Sequence, residues 1–157
     1  MPEQNNQYQI RIYPDPFLRK KTQRVSIFDK ALLSEIQVME KFKFENKGIG
    51  LAANQIGISK QMILVNTDPE NIKSKIRIII NPKIISRSKE TLIDKEGCLS
   101  VLGKKIAIAR CIKVVVLGQN EKGERIKIKA KDLLARVLQH EIDHLNGKLI
   151  IDYEDKN

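Results

Sequence analysis

Cysteine and histidine are scarce in this sequence: Cys98, Cys111, His140 and His144 are all there are. Two cysteines cannot build the disulfide framework of a small secreted protein, so a reducing compartment is expected. Long apolar runs are also missing. The runs present, such as Ile78-Ile79-Ile80 and Val114-Val115-Val116-Leu117, are a few residues each and fall far short of the roughly 20 apolar residues that span a membrane. The N-terminal MPEQNNQYQ lacks both an apolar core and an Arg-rich amphipathic pattern. It reads as neither a secretory signal nor a transit peptide. The cytoplasm is the expected location, with an organelle and a processed N-terminus as the alternative. Neither a membrane nor DNA is expected as a partner.

At 157 residues the chain suits one domain over 1–157, large enough to bury about 68–70% of its unfolded surface without staples. Its 41% hydrophobic content is too high for a disordered chain. The net charge of +10 points to a polyanionic neighbour, although a Lys- and Ile-rich composition also arises from codon bias.

Local signals outline the elements. Asp29 can cap a helix running to about Phe44, with Leu32, Leu33, Ile36, Met39 and Phe42 at helical spacing. Residues 10–24, with Pro14 and Pro16, read as irregular. Gln61 to Asn66 and Arg77 to Asn81 read as buried strands. Ile106 to Leu117 and Arg125 to Ala130 read as a strand pair joined by a turn at Asn120 to Gly123. Asp132 is expected to cap a second helix, and Asn146-Gly147 to end it. Strands followed by one strong late helix imply an α+β fold.

The late helix carries QHEIDH at 139–144. Positions i and i+4 stand one turn apart on one face, the spacing at which two imidazoles grip one metal ion. Glu141 beside the first is placed to act as general base. Leu133, Val137, His140 and His144 form one stripe, so both rings face inward, where a buried ring needs a partner. A catalytic site takes a third protein ligand and leaves one position open. With no further histidine, the ligand must be Cys, Asp or Glu. Spacing gives Cys98, in KEGCLSV after the close-approach residue Gly97, only a modest edge over a carboxylate. Cys111, inside an apolar strand pattern, fits a small buried hydrophobe better. Gln55, after GIGLAAN in a segment of small and apolar residues, reads as a site residue. Leu133 and Val137 read equally as pocket wall or plain core.

GIGLAANQIG (48–57), EGCLS (96–100) and QHEIDHLNG (139–147) together resemble, in order and spacing, the three signature motifs of peptide deformylases. INPKI at 80–84 and YPDPFLR at 13–19 extend the likeness over most of the chain. The resemblance implies a central metal-binding helix packed against antiparallel β-sheets. It implies one divalent ion on Cys98, His140 and His144, iron(II) in the native state with zinc, nickel or cobalt able to substitute. It makes Glu141 the proton carrier, and gives the Gln55 amide and the Leu99 backbone N–H to the carbonyl oxygen of a formylated N-terminus. Ile49 and Gly50 match positions that line the substrate, Gly50 leaving a backbone edge on which a peptide can add as a strand. Gly97 belongs to the same peptide-facing set, and Glu96 is a substrate-side or a structural carboxylate. The implied partner is a nascent N-formyl-methionyl peptide.

Asn54 and Leu102 stand where the family often has proline, and Lys105 where several members have a peptide-contacting arginine. These departures touch peptide affinity and loop rigidity, not the reacting groups. The chain stops at Asn157, where many relatives continue into a ribosome-docking helix. A basic strand face at RIKIKAK (125–131) is expected to meet the ribosome instead, because alternate residues share a face. Two other readings share the residues. A small metalloprotease would use the same His-Glu-x-x-His chemistry but has no role for EGCLS. A basic RNA- or ribosome-binding protein with a closed structural zinc would need Cys111 as fourth ligand.

Overall fold

A computed structural model describes residues 7–154. Helix α1 spans Lys30–Glu45, and the Asp29 side chain accepts the Leu32 N–H, as expected of that cap. Seven strands follow: β1 Gly50–Ala52, β2 Met62–Asn66, β3 Ile76–Arg87, β4 Thr91–Cys98, β5 Val101–Cys111, β6 Lys113–Gln119 and β7 Arg125–Lys131. Helix α2 is Asp132–Leu145. Strands β1-β2-β3-β6-β7 form one antiparallel sheet in that order, and β4-β5 form a separate hairpin.

Helix α2 packs on one face of the larger sheet. Val137, Leu138 and Ile142 meet Ile63, Val65, Val114, Val116 and Ile128 there. On the opposite face, α1 covers the β2–β3 end, where Leu32, Ile36 and Met39 pack with Met62, Leu64 and Ile80. A third cluster joins β5 to the chain's end through Val101, Ile106, Ile108, Leu149 and Ile150. The α+β architecture, with a central helix against antiparallel sheets, is the expected one.

Three local expectations are corrected. The strand expected over Ile106 to Leu117 is two strands in different sheets, broken at Ile112. Ile106, Ile108, Val114 and Val116 are all buried, so the two-residue alternation crosses the break without losing phase. The break shows only in tertiary pairing: Ile112 N–H donates to Glu90 O, and Ile112 O accepts from Asp132 N–H. Asp132 is not a side-chain cap. It is the first residue of α2 at φ 56, after Lys131 in extended geometry. The chain enters the helix straight from β7, and Asp is among the residues that tolerate this left-handed conformation. Leu33, at helical spacing with the α1 core, is 42% exposed because it falls at the edge of the buried stripe.

Asn146 and Gly147 end α2 as expected. Gly147 has φ +76, and a Cβ there would strike the Arg19 carbonyl. Both the strained conformation and the clash oppose a side chain. Gly147→Ala is expected to lower unfolding free energy by about 1–3 kcal/mol, read from the urea midpoint. A midpoint equal to wild type would contradict this close approach.

Candidate functional site

Helix α2 presents His140, Glu141 and His144 toward the hairpin, and the β4–β5 turn brings Cys98 to them. Cys98 Sγ lies 3.3 Å from His144 Nε2, and the two Nε2 atoms are 3.3 Å apart. The three donor atoms lie within 4.8 Å of one another. Ligands at metal distances of about 2.0–2.3 Å in tetrahedral directions stand about 3.3–3.6 Å apart, so the cluster has the dimensions of one ion's coordination shell. Two imidazole lone pairs this close repel unless a proton or a cation lies between them. Among the described residues this is the one group of three such ligands, and Cys111 is not part of it. Three ligands leave a fourth position open, unlike a closed structural zinc site.

Electrostatics favour a cation. Burial alone would lower the His140 pKa, yet its bonds to Cys98 and Glu96 and the charge of Glu141 raise it to about 10. Anionic groups therefore face this ring, and ligation of a metal would need it neutral. Burial pushes His144 well below the ordinary histidine value, which keeps it neutral. Burial likewise pushes Glu141 up to about 7, partly countered by His140. Its Oε1 lies 3.9 Å from His140 Nε2, and its Oε2 is buried without a hydrogen bond.

Gln55 sits in a short 3-10 turn, Ala53–Ile56, after β1. Its Oε1 accepts the Ala52 N–H at 2.9 Å. This fixes the amide so that Nε2 points to Ser100 Oγ at 3.2 Å and Cys98 Sγ at 3.6 Å. Gly50 lies under Glu141: a Cβ there would come 2.9 Å from both Glu141 Oε1 and Val137 Cγ1. Strand β1 is at the sheet's edge: among the described residues no further strand pairs with it, although its Ala52 N–H is taken by Gln55. A cleft of about 790 Å³ opens here. Ile49, Gly50, Gln55, Gly97, Leu99, Leu133 and Val137 line it, together with Glu96, Cys98, His140 and Glu141. His144 lies behind this wall, 1% exposed. The mouth carries Leu102 and Lys105, the latter lying across Gly97.

Glu96 lines the cleft, but both carboxylate oxygens are engaged by the protein. His140 Nδ1 is 2.8 Å from Oε1. Arg110 binds both oxygens at 2.9 and 3.0 Å, and Arg136 reaches Oε2 at 2.6 Å. Of the two roles expected for Glu96, this geometry favours the structural one over contact with substrate. Burial would raise its pKa, but the bonds from His140 and Arg110 bring it down to about 2. Arg110 also binds Asp143 at 2.6 Å and Tyr153 Oη at 3.1 Å.

Sequence reading missed this network. The signal was present: Arg136 stands four residues before His140 on the same helix face, and Arg110 continues the buried alternation of Ile106 and Ile108. Asn54, noted only as a departure, is 1% exposed and donates to the His144 carbonyl at 2.6 Å, satisfying an acceptor in the last turn of α2.

Comparison with known proteins shows the family. Residues 7–157 match the family model described as polypeptide deformylase. The chain is 41% identical over 144 residues to the peptide deformylase of Thermodesulfovibrio yellowstonii, covering 92% of this chain and 87% of that one. It is 44% identical over 143 residues to that of Syntrophobacter fumaroxidans, covering 91% and 84%. The crystal structure of peptide deformylase from Thermotoga maritima superposes with a TM-score of 0.86 at 39% identity, covering 92% of this chain and 95% of the other.

Glu96→Gln is expected to loosen the His140 ring and weaken metal binding by about 10–100-fold, measured by competition with a chromophoric chelator. Affinity equal to wild type would show that Glu96 does not orient the ligand.

Proposed function

The chain belongs to the polypeptide deformylase family, and we propose that the cleft beside α2 is where it acts. The reaction is metal-dependent removal of the N-formyl group from the N-terminal formylmethionine of newly made polypeptides, with release of formate. The observation that carries the assignment of the site is the convergence of Cys98, His140 and His144 beside the unpartnered Glu141 Oε2.

In this reading Cys98, His140 and His144 hold one divalent ion. When bound, the ion supplies Lewis acidity toward water and toward the formyl carbonyl. Glu141 takes a proton from the attacking water as the new C–O bond forms. It later delivers that proton to the leaving amine as the C–N bond breaks, so formate and a free N-terminus result. Burial raises the Glu141 carboxyl, and a cation on the neighbouring ligands would oppose that rise. The Gln55 Nε2–H and the Leu99 backbone N–H meet the negative charge that develops on the carbonyl oxygen. Gln55 needs no reorganisation, because Ala52 already fixes its amide.

The peptide runs along the free edge of β1 at Ile49 and Gly50, with Gly97 on the other wall. Leu133 and Val137 enclose the methionine side chain. Glu96 is a positioning residue for His140. Iron(II) is the proposed native metal, with zinc, nickel or cobalt able to occupy the same ligands. We take residues 1–157 as one catalytic domain and the cytoplasm as its place of work. Among the described residues, no helix is long and apolar enough to cross a membrane. The nascent chain brings the enzyme to the ribosome, which is proposed as a docking partner.

Glu141→Gln preserves shape but cannot accept the proton. It is expected to retain one metal per chain and lose about 10²–10⁴ in turnover, read by formate release from a formyl-methionyl peptide. Wild-type turnover in the metal-loaded variant would refute the role. The iron-loaded enzyme is expected to lose activity in air while the zinc-loaded enzyme holds its own rate, since iron and its thiolate ligand are both open to oxidation. Equal, air-stable rates with the two metals would contradict iron as the native choice.

A further inference from the structure

The larger sheet is covered unevenly. Helix α2 fills one face throughout, but on the other face α1 reaches only the β2–β3 end. Among the described residues no helix or strand covers the outer side of β6 and β7. Register fixes what it shows: Lys113 stands opposite Lys131, Val115 opposite Lys129, Leu117 opposite Lys127 and Gln119 opposite Arg125. Lys83 of β3 stands opposite Leu117 on the same side. Lys83, Lys113, Arg125, Lys127, Lys129 and Lys131 are all exposed, while Ile128 and Ala130 between them are buried.

None of these six cations makes an ion pair among the described residues. No carboxylate lies at any of these face positions; Glu121 and Glu124 lie at the β6–β7 turn and Asp132 begins α2. Along β7, successive cations are about 6.8 Å apart, so the row of four covers about 20 Å. Lysines that guard an edge strand against aggregation would account for β7 alone. They do not account for Lys113 and Lys83 on the two strands inside it.

We infer that this face binds the phosphate backbone of structured RNA. An array of cations without ion pairs among the described residues, with Val115 and Leu117 between them, suits a row of phosphates and reads no base. The metal cleft lies by α2, across the sheet, so a bound RNA leaves its mouth open. Ribosomal RNA is the structured RNA beside which a nascent chain emerges. That identification rests on the proposed function, whereas the phosphate binding does not.

The test uses the full chain loaded with metal and a fluorescent 20-base-pair RNA duplex, with anisotropy read across a salt series. Arg125, Lys127, Lys129 and Lys131 are changed together to Gln. A control variant loses the same charge from the exposed Lys21, Lys30, Lys73 and Lys89. The face variant is expected to bind at least tenfold more weakly at low salt, with a salt slope shallower by about 0.9 for each lost phosphate contact. The control is expected to bind within about twofold of wild type. Formate release from a short peptide is expected to be unchanged in both, which separates loss of RNA binding from loss of fold or of deformylase activity. Absence of RNA binding by wild type, an equal loss in the control, or tighter binding to anionic phospholipid vesicles than to RNA would each overturn the inference.

Discussion

Glu96 ties the separate hairpin to the helix that carries the histidines. Its buried carboxylate on β4 meets Arg110 on β5 and both Arg136 and His140 on α2. Burying a charge costs several kcal/mol unless partners meet it, and breaking such a cluster costs about 3–5 kcal/mol. Here each carboxylate oxygen has more than one partner, and Arg110 extends the chain of contacts to Asp143 and Tyr153. The same contacts set the distance from Cys98, two residues beyond Glu96, to His140 and His144. The position of Cys98 relative to both histidines is therefore a consequence of where the hairpin docks.

Around that anchor, backbone needs and chemical needs coincide. Gly50 has no side chain because Glu141 and Val137 occupy the space. Gln55 is held by Ala52 and aims at the sulfur. Asn54 satisfies the carbonyl of His144 near the end of α2. These contacts fix the site before any substrate arrives, the condition under which a polar group stabilises developing charge without reorganising.

Local periodicity made part of this legible. The i,i+4 histidines on an apolar stripe identified α2 and its inward face, Asp29 marked the start of α1, and the alternation of RIKIKAK separated a buried side from a basic one. What failed depends on contacts between distant parts of the chain. The alternation through Ile106 to Val116 keeps phase across a change of sheet, so Ile112 looked like the middle of a strand. Strand β4 shows little alternation, since Thr91 through Lys95 are exposed. Spacing left the third ligand open between Cys98 and a carboxylate; the three-motif resemblance named Cys98, and the structure places its sulfur beside both imidazoles. Arg110 and Arg136 drew no notice in the sequence because their partner, Glu96, comes from another element.

Cobalt(II) substitution reports on this centre most directly, because a thiolate ligand gives the ion a near-ultraviolet charge-transfer band and an open tetrahedral site gives strong visible bands. The account predicts uptake of one cobalt per chain with both signatures. It predicts loss of the charge-transfer band in Cys98→Ser and its retention in Cys111→Ser. A band that survives Cys98→Ser and disappears with Cys111→Ser would contradict the assignment of the ligands.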